Sequence, residues 1–239
     1  GASLASTGQA GPVRLWDTAA GEAIAVLSGH QGWVWACAFA PEGARLASAG
    51  SDGTVRLWDT ATGEVLAVLA GHQGCVWACT FVPGGARLAS AGQDGAVRLW
   101  DTATGEVLAV LSGHQGAVLA CAAAPGGARL ASAGQDGAVR LWDTATGTAI
   151  AVLPGHPRRV WACAFTPDGT RLASAGSDGA VRLWDTATGK AIAVLSGHQG
   201  WVLACAFAPG GARLASAGSD GTVRLWDTAT GKAIAVLSG

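Results

Sequence analysis

No run in this sequence approaches the roughly 20 consecutive apolar residues that a membrane-spanning helix needs, and its start lacks the basic-then-apolar order of a secretory leader. The chain is therefore expected to be soluble and cytoplasmic, with no membrane partner. An excess of charge of one sign is missing too: 15 Lys and Arg stand against 16 Asp and Glu, a net charge of −1. The only adjacent basic residues are Arg158 and Arg159, so the electrostatic footprint of a nucleic-acid binder is absent. The six Cys include no Cys-x-x-Cys pair and no clustered zinc-site spacing. Five of them, Cys37, Cys79, Cys121, Cys163 and Cys205, recur once per repeat and read as small buried hydrophobes in a reducing compartment. No metal or other cofactor is expected. Methionine is missing altogether, which fits a chain expected to be a piece of a longer protein.

What the sequence does have is repetition. Leu57-Trp58-Asp59 recurs at Leu15-Trp16-Asp17, Leu99-Trp100-Asp101, Leu141-Trp142-Asp143, Leu183-Trp184-Asp185 and Leu225-Trp226-Asp227, always 42 residues apart. A period of that length implies units too small to bury their apolar faces alone, which must stack on their neighbours. A partial unit, 1–29, precedes five full ones at 30–71, 72–113, 114–155, 156–197 and 198–239. The 37 Gly and 8 Pro are spread through the units rather than pooled in a linker, so one domain over 1–239 is expected.

Within unit 30–71, Val34, Ala36 and Ala38 alternate with Trp35, Cys37 and Phe39, the period of a strand buried on both faces. Arg45 to Ala49 reads as a second strand, and Asp52-Gly53 as a tight hairpin turn. Thr54 to Asp59 makes a third strand and, after the turn Thr60-Ala61-Thr62-Gly63, Glu64 to Leu69 a fourth. Four short strands joined by tight turns form an antiparallel meander too small to stand alone. Radial repetition of such sheets gives a β-propeller.

The order Gly-His, Phe-x-Pro-x-Gly, Leu-Ala-Ser, Asp-Gly and Val-Arg-Leu-Trp-Asp closely resembles the WD40 repeat over the whole chain. The resemblance implies an all-β, WD40-type propeller of four-stranded antiparallel blades, six of them encoded. The near identity of the units is similar to bacterial WD40 arrays and agrees equally with recent duplication or deliberate design. The first unit departs from the pattern: it lacks an innermost strand and a Gly-His, with Ala10 where the others have Asp and Pro12 where they have Thr or Ala. An unpaired inner edge there invites strand exchange or a homo-oligomer.

Each full unit carries a His, a Ser, an Asp and a Trp: His30, Ser48, Asp52 and Trp58; His72, Ser90, Asp94 and Trp100; His114, Ser132, Asp136 and Trp142; His156, Ser174, Asp178 and Trp184; His198, Ser216, Asp220 and Trp226. His, Ser and Asp invite a hydrolase reading, but five copies of one triad make little sense. The family resemblance implies instead a hydrogen-bonded structural tetrad, whose members satisfy one another on burial. The Arg of each third strand (Arg56, Arg98, Arg140, Arg182, Arg224) reads as a solvated or cross-strand pairing group.

Function is sought where the copies differ. The most varied column is Trp33, Cys75, Ala117, Arg159 and Trp201, followed two residues on by Trp35, Trp77, Leu119, Trp161 and Leu203. The meander brings the turn column Ser51, Gln93, Gln135, Ser177 and Ser219 to the same end. In the family these positions commonly carry partner contacts. Trp and Arg are over-represented at binding hot spots, and a clustered apolar patch marks an interaction site. Trp35, Trp77 and Trp161, in phase with the inward residues, read also as core between blades. The reading is a non-catalytic scaffold that binds a protein or peptide on a Trp-rich rim. Two alternatives stand beside it: an engineered or duplicated array with no ligand, and a lectin-like propeller, against which Ala117 and Leu119 break the aromatic repeat.

Overall fold

A computed structural model describes residues 3–8, 12–153 and 155–238. All regular structure among them is β. The 23 strands form six antiparallel sheets. The first holds β1 (Ser3–Ser6), β2 (Val13–Asp17) and β3 (Ala23–Leu27) in that order. The second runs β4 (Val34–Phe39), β5 (Arg45–Gly50), β6 (Thr54–Asp59), β7 (Val65–Ala70), each strand beside the next. The third repeats this as β8 (Val76–Phe81), β9 (Arg87–Gly92), β10 (Ala96–Asp101) and β11 (Val107–Ser112).

The fourth is β12 (Val118–Ala123), β13 (Arg129–Gly134), β14 (Val139–Asp143) and β15 (Ala149–Leu153). The fifth is β16 (Val160–Phe165), β17 (Arg171–Gly176), β18 (Ala180–Asp185) and β19 (Ala191–Ser196). The sixth is β20 (Val202–Phe207), β21 (Arg213–Gly218), β22 (Thr222–Asp227) and β23 (Ala233–Ser238). Six meanders, five of four strands and the first of three, match the antiparallel blades expected from the repeat. Ala10, where the first unit departs from the Asp of the others, lies outside the described residues. The chain divides into two compact units, 1–112 and 113–239.

The turns follow from local chemistry. Asp59 Oδ1 accepts the N–H groups of Ala61 and Thr62 at 2.9 and 2.8 Å, an Asx turn that reverses the chain after the Trp. In the hairpin between β5 and β6 the positive φ of 78° falls on Gly53, where no side chain resists it.

Burial explains why no blade stands alone. Trp58 packs with Val34 and Leu46 of its own blade against Val13, Leu15 and Leu27 of the preceding one. Trp100 joins Val76 and Leu88 against Val55, Leu57 and Leu69. In the second unit Trp184 meets Val139, Leu141 and Leu153, and Trp226 meets Val181, Leu183 and Leu195. Each of these four Trp thus seals its blade to the one before it, at a depth where truncation costs about 3–5 kcal/mol.

The alternation read across the first strand of each unit is corrected by a β-bulge. Val34 pairs with Gly50 and Ala36 with Ala49, so Trp35 is an extra residue without a register partner. Trp77, Leu119, Trp161 and Leu203 occupy the same bulge in their blades. A bulge re-aims the side chain it carries, and the second variable column therefore does not share the inward phase of Cys37 and Phe39.

Candidate functional site

Two sets of residues emerge from this frame, one inside each of the five full blades and one at its hairpin end. In the blade of residues 72–113, Trp100 Nε1 donates to Ser90 Oγ at 2.8 Å, Ser90 Oγ lies 2.7 Å from His72 Nε2, and His72 Nδ1 lies 3.0 Å from Asp94 Oδ1. The same chain runs from Trp58 through Ser48 and His30 to Asp52, and from Trp142 through Ser132 and His114 to Asp136. It runs again from Trp184 through Ser174 and His156 to Asp178, and from Trp226 through Ser216 and His198 to Asp220. Among the described residues the first unit has the outer link alone, Trp16 Nε1 to Ser6 Oγ at 2.8 Å.

With the carboxylate ionised, Nδ1–H donates to Asp, Nε2 accepts the Ser hydroxyl, and the Ser oxygen accepts the indole N–H, so every buried polar group has a partner. The order Asp, His, Ser is that of a hydrolytic triad. Yet Ser48, Ser90, Ser132 and Ser174 are 0 % exposed and their oxygens already hold an indole N–H, leaving no approach for a substrate carbonyl. Gly92 is glycine for the same close fit: a Cβ there would collide with His72 Nδ1 and Asp94 Oδ1.

Electrostatics agree with a neutral imidazole against an ionised carboxylate. Burial pushes the pKa of His30, His72, His114 and His156 below the ordinary 6.5, and the adjacent Asp only partly offsets this. Burial also opposes ionisation of Asp94 and Asp136. Hydrogen bonds from the paired His and from the N–H of Gln73 or Gln115 outweigh it and hold both near a pKa of about 2.

The third-strand Arg, expected as a solvated or cross-strand pairing group, is a fifth member of this network in three blades. Arg98, Arg140 and Arg182 place Nη1 at 2.6, 2.9 and 2.5 Å from Oδ2 of Asp94, Asp136 and Asp178. All three follow an Asp-Gly-Ala turn, at Ala96, Ala138 and Ala180. Where the turn ends in Thr, the hydroxyl takes the carboxylate instead: Thr54 and Thr222 donate to Oδ1 of Asp52 and Asp220 at 2.8 Å. In those two blades Nε of Arg56 and of Arg224 is buried without a hydrogen-bond partner. The guanidinium thus lies on the carboxylate where the turn ends in Ala, and the Thr hydroxyl lies there where it ends in Thr.

The variable columns meet at the hairpin end. In every full unit the turn residue donates its N–H to the carbonyl of the first column: Ser51 to Trp33, Gln93 to Cys75, Gln135 to Ala117, Ser177 to Arg159 and Ser219 to Trp201, at 2.8–2.9 Å. Ser51, Gln93 and Ser219 return a side-chain acceptor to the N–H of Trp33, Cys75 and Trp201. Burial sorts the columns. Ala117 is buried, Cys75, Trp35, Trp77, Leu119 and Trp161 are half-buried, Arg159 is exposed, and Trp33, Trp201 and Leu203 are 40, 50 and 46 % exposed.

Two aromatic clusters result, one in each compact unit. In the first, the rings of Trp33 and Trp77 each lie 4.8 Å from that of Trp35. In the second, Trp161 stacks on Trp201 at 5.8 Å, and the Arg159 guanidinium lies 6.0 Å from the Trp161 ring. Trp161 Nε1 donates to Ser177 Oγ at 2.8 Å. Ser51, the equivalent acceptor for Trp35, is occupied by the Trp33 N–H, and the indole nitrogens of Trp35 and Trp77 are buried without a partner. Beside Arg159, the cleft of the second cluster is also lined by Arg158. Variation within columns did not single out Arg158. Its signal was the replacement of the Gln-Gly that follows His in the other full units by Pro157-Arg158.

The profile of the WD40 family, described as "WD domain, G-beta repeat", matches residues 21–59, 63–101, 105–143, 147–185 and 189–227. Each window opens at the outer strand of one blade and closes on the Trp-Asp of the next. No curated protein matches the chain.

Proposed function

Because the chain belongs to the WD40 family, whose repeats serve in general as protein-interaction scaffolds and typically carry no catalysis, we propose that it is a non-catalytic scaffold holding a protein or peptide on its hairpin-end aromatics. The contact residues are Trp33, Trp35 and Trp77 in the first compact unit and Arg159, Trp161 and Trp201 in the second. The observation that supports this is the exposure of Trp33 and Trp201, 40 and 50 %, at the column where the repeats agree least. Structural Trp in this chain are buried at every full repeat; these two are neither repeated in every unit nor buried.

Apolar burial drives the contact. Covering a large aromatic removes area worth about 25 cal/mol per Å², and Trp anchors of this kind dominate interface energetics. The test is capture of a partner from the host lysate by the parent chain beside the Trp33→Ala/Trp201→Ala variant, with both shown to be folded by thermal melting. A partner held by the parent and lost by the folded variant is the expected result. If the parent holds none, the reading gives way to that of a duplicated array without a ligand.

A further inference from the structure

The second cluster differs from the first in charge as well as composition. Its cleft, of about 310 Å³, is lined by Gln135, Arg158, Arg159, Trp161, Ser177 and Trp201. Two guanidinium groups and two indoles face it, and no carboxylate does. Asp178 lines the adjoining depression, but its oxygens are held by Arg182 and His156. Among the described residues no ion pair takes Arg158 or Arg159, although the chain as a whole is slightly acidic. The basic pair occurs once, in the only full unit that replaces the Gln-Gly after its His.

We infer that this cleft recognises a carboxylate-bearing side chain next to an aromatic one in a peptide segment of the partner, a claim that rests on the scaffold reading and gives its ligand a chemistry. Guanidinium forks match a carboxylate with two parallel N–H···O bonds. Trp161 is held in orientation by its bond to Ser177, so the stacked pair offers a fixed apolar face to the neighbouring ring. Two cations with no further basic residue lining the cleft suit one or two carboxylates, not the phosphate row of a nucleic acid, which needs an extended basic track.

The test is fluorescence anisotropy with three labelled peptides: an alternating Asp-Phe decapeptide, its Asn-Phe isostere, and the same frame with phosphoserine for Asp. The parent is expected to bind the Asp-Phe peptide about tenfold more tightly than the isostere at low salt, with the preference shrinking as salt screens the pair. In the Arg158→Gln/Arg159→Gln variant, whose altered side chains are exposed and whose melting is expected to match the parent, the two peptides bind alike.

Equal binding of the Asp and Asn peptides to the parent overturns the inference. So does a preference that survives in the Gln variant, the absence of saturable binding, or binding of the phosphoserine peptide alone. Partner capture that depends on Trp33 and Trp201, together with no preference for the acidic peptide, leaves the scaffold reading standing while this inference falls.

Discussion

The tetrads and the hairpin-end columns occupy the same blades, yet repetition treats them in opposite ways. His, Ser, Asp and Trp stand in all five full units, buried or nearly so, each filling the bonding capacity of the next. A few residues away, the column of Trp33, Cys75, Ala117, Arg159 and Trp201 uses four residue types in five units. Its side-chain environment runs from buried Ala117 to half-exposed Trp201. Positions whose partners lie within the blade must repeat when the blade repeats. Positions whose partners lie elsewhere are free to differ.

The contrast is broken most severely from the tetrad side. Ser90→Ala removes the oxygen shared by Trp100 and His72 and leaves two buried polar groups unpaired, so chemical unfolding should register a loss of about 3 kcal/mol. Asp94→Asn should cost a similar amount, because the Arg98 guanidinium, 13 % exposed, loses its counter-charge. Asp52→Asn, in a blade whose Arg makes no such bond, should cost about 1 kcal/mol, since an amide oxygen in place of Oδ1 still accepts from Thr54 and the bond lost is that from the Gln31 N–H to Oδ2.

Acid should act on the tetrads and, through carboxylates held below their ordinary pKa by backbone N–H groups, on turns such as that of Asp59. His72 titrates below 6.5 in the folded chain, so folding favours the neutral ring; that contribution is complete above pH 6.5 and drains as the pH falls. Asp94, near 2 against an ordinary 3.8, favours the charged form; its contribution is complete above 3.8 and is lost as the pH falls toward 2. Both losses have the same sign, so melting temperature should fall from about pH 8 to pH 5 and again toward pH 3.

Smaller effects sharpen the comparison within the tetrads. Ala96→Thr should draw the Asp94 carboxylate to the new hydroxyl and release Arg98, and Thr54→Ala should draw Arg56 onto Asp52. Each exchange should change stability by about 1 kcal/mol or less, and a crystal structure of either variant reads the guanidinium position directly.

Much of the fold was legible because each unit repeats its punctuation. Asp-Gly, Pro-x-Gly and Thr-Gly mark the turns, and the third strand, expected at Thr54 to Asp59, lies there. The fourth, expected at Glu64 to Leu69, starts and ends one residue later, since Glu64 belongs to the turn closed on Asp59. The bulge at Trp35 left no mark: one unpaired residue inside an apolar run has the composition of the run, and only the register reveals it. The destination of Arg98 was hidden as well, because it depends on whether Ala or Thr stands two residues earlier, a contact across a hairpin that reads as ordinary sequence variation.

The most direct test of the division between repeated and varied residues is to measure unfolding and partner capture together on Trp33→Ala/Trp201→Ala. Predicted is an unfolding free energy lower than the parent's by no more than about 2 kcal/mol, the worth of two aromatic pairs, and loss of the captured partner. A fall of about 3–5 kcal/mol, the amount lost when a core Trp is truncated, with the partner still bound, would contradict the account, because these two indoles would then belong to the fold.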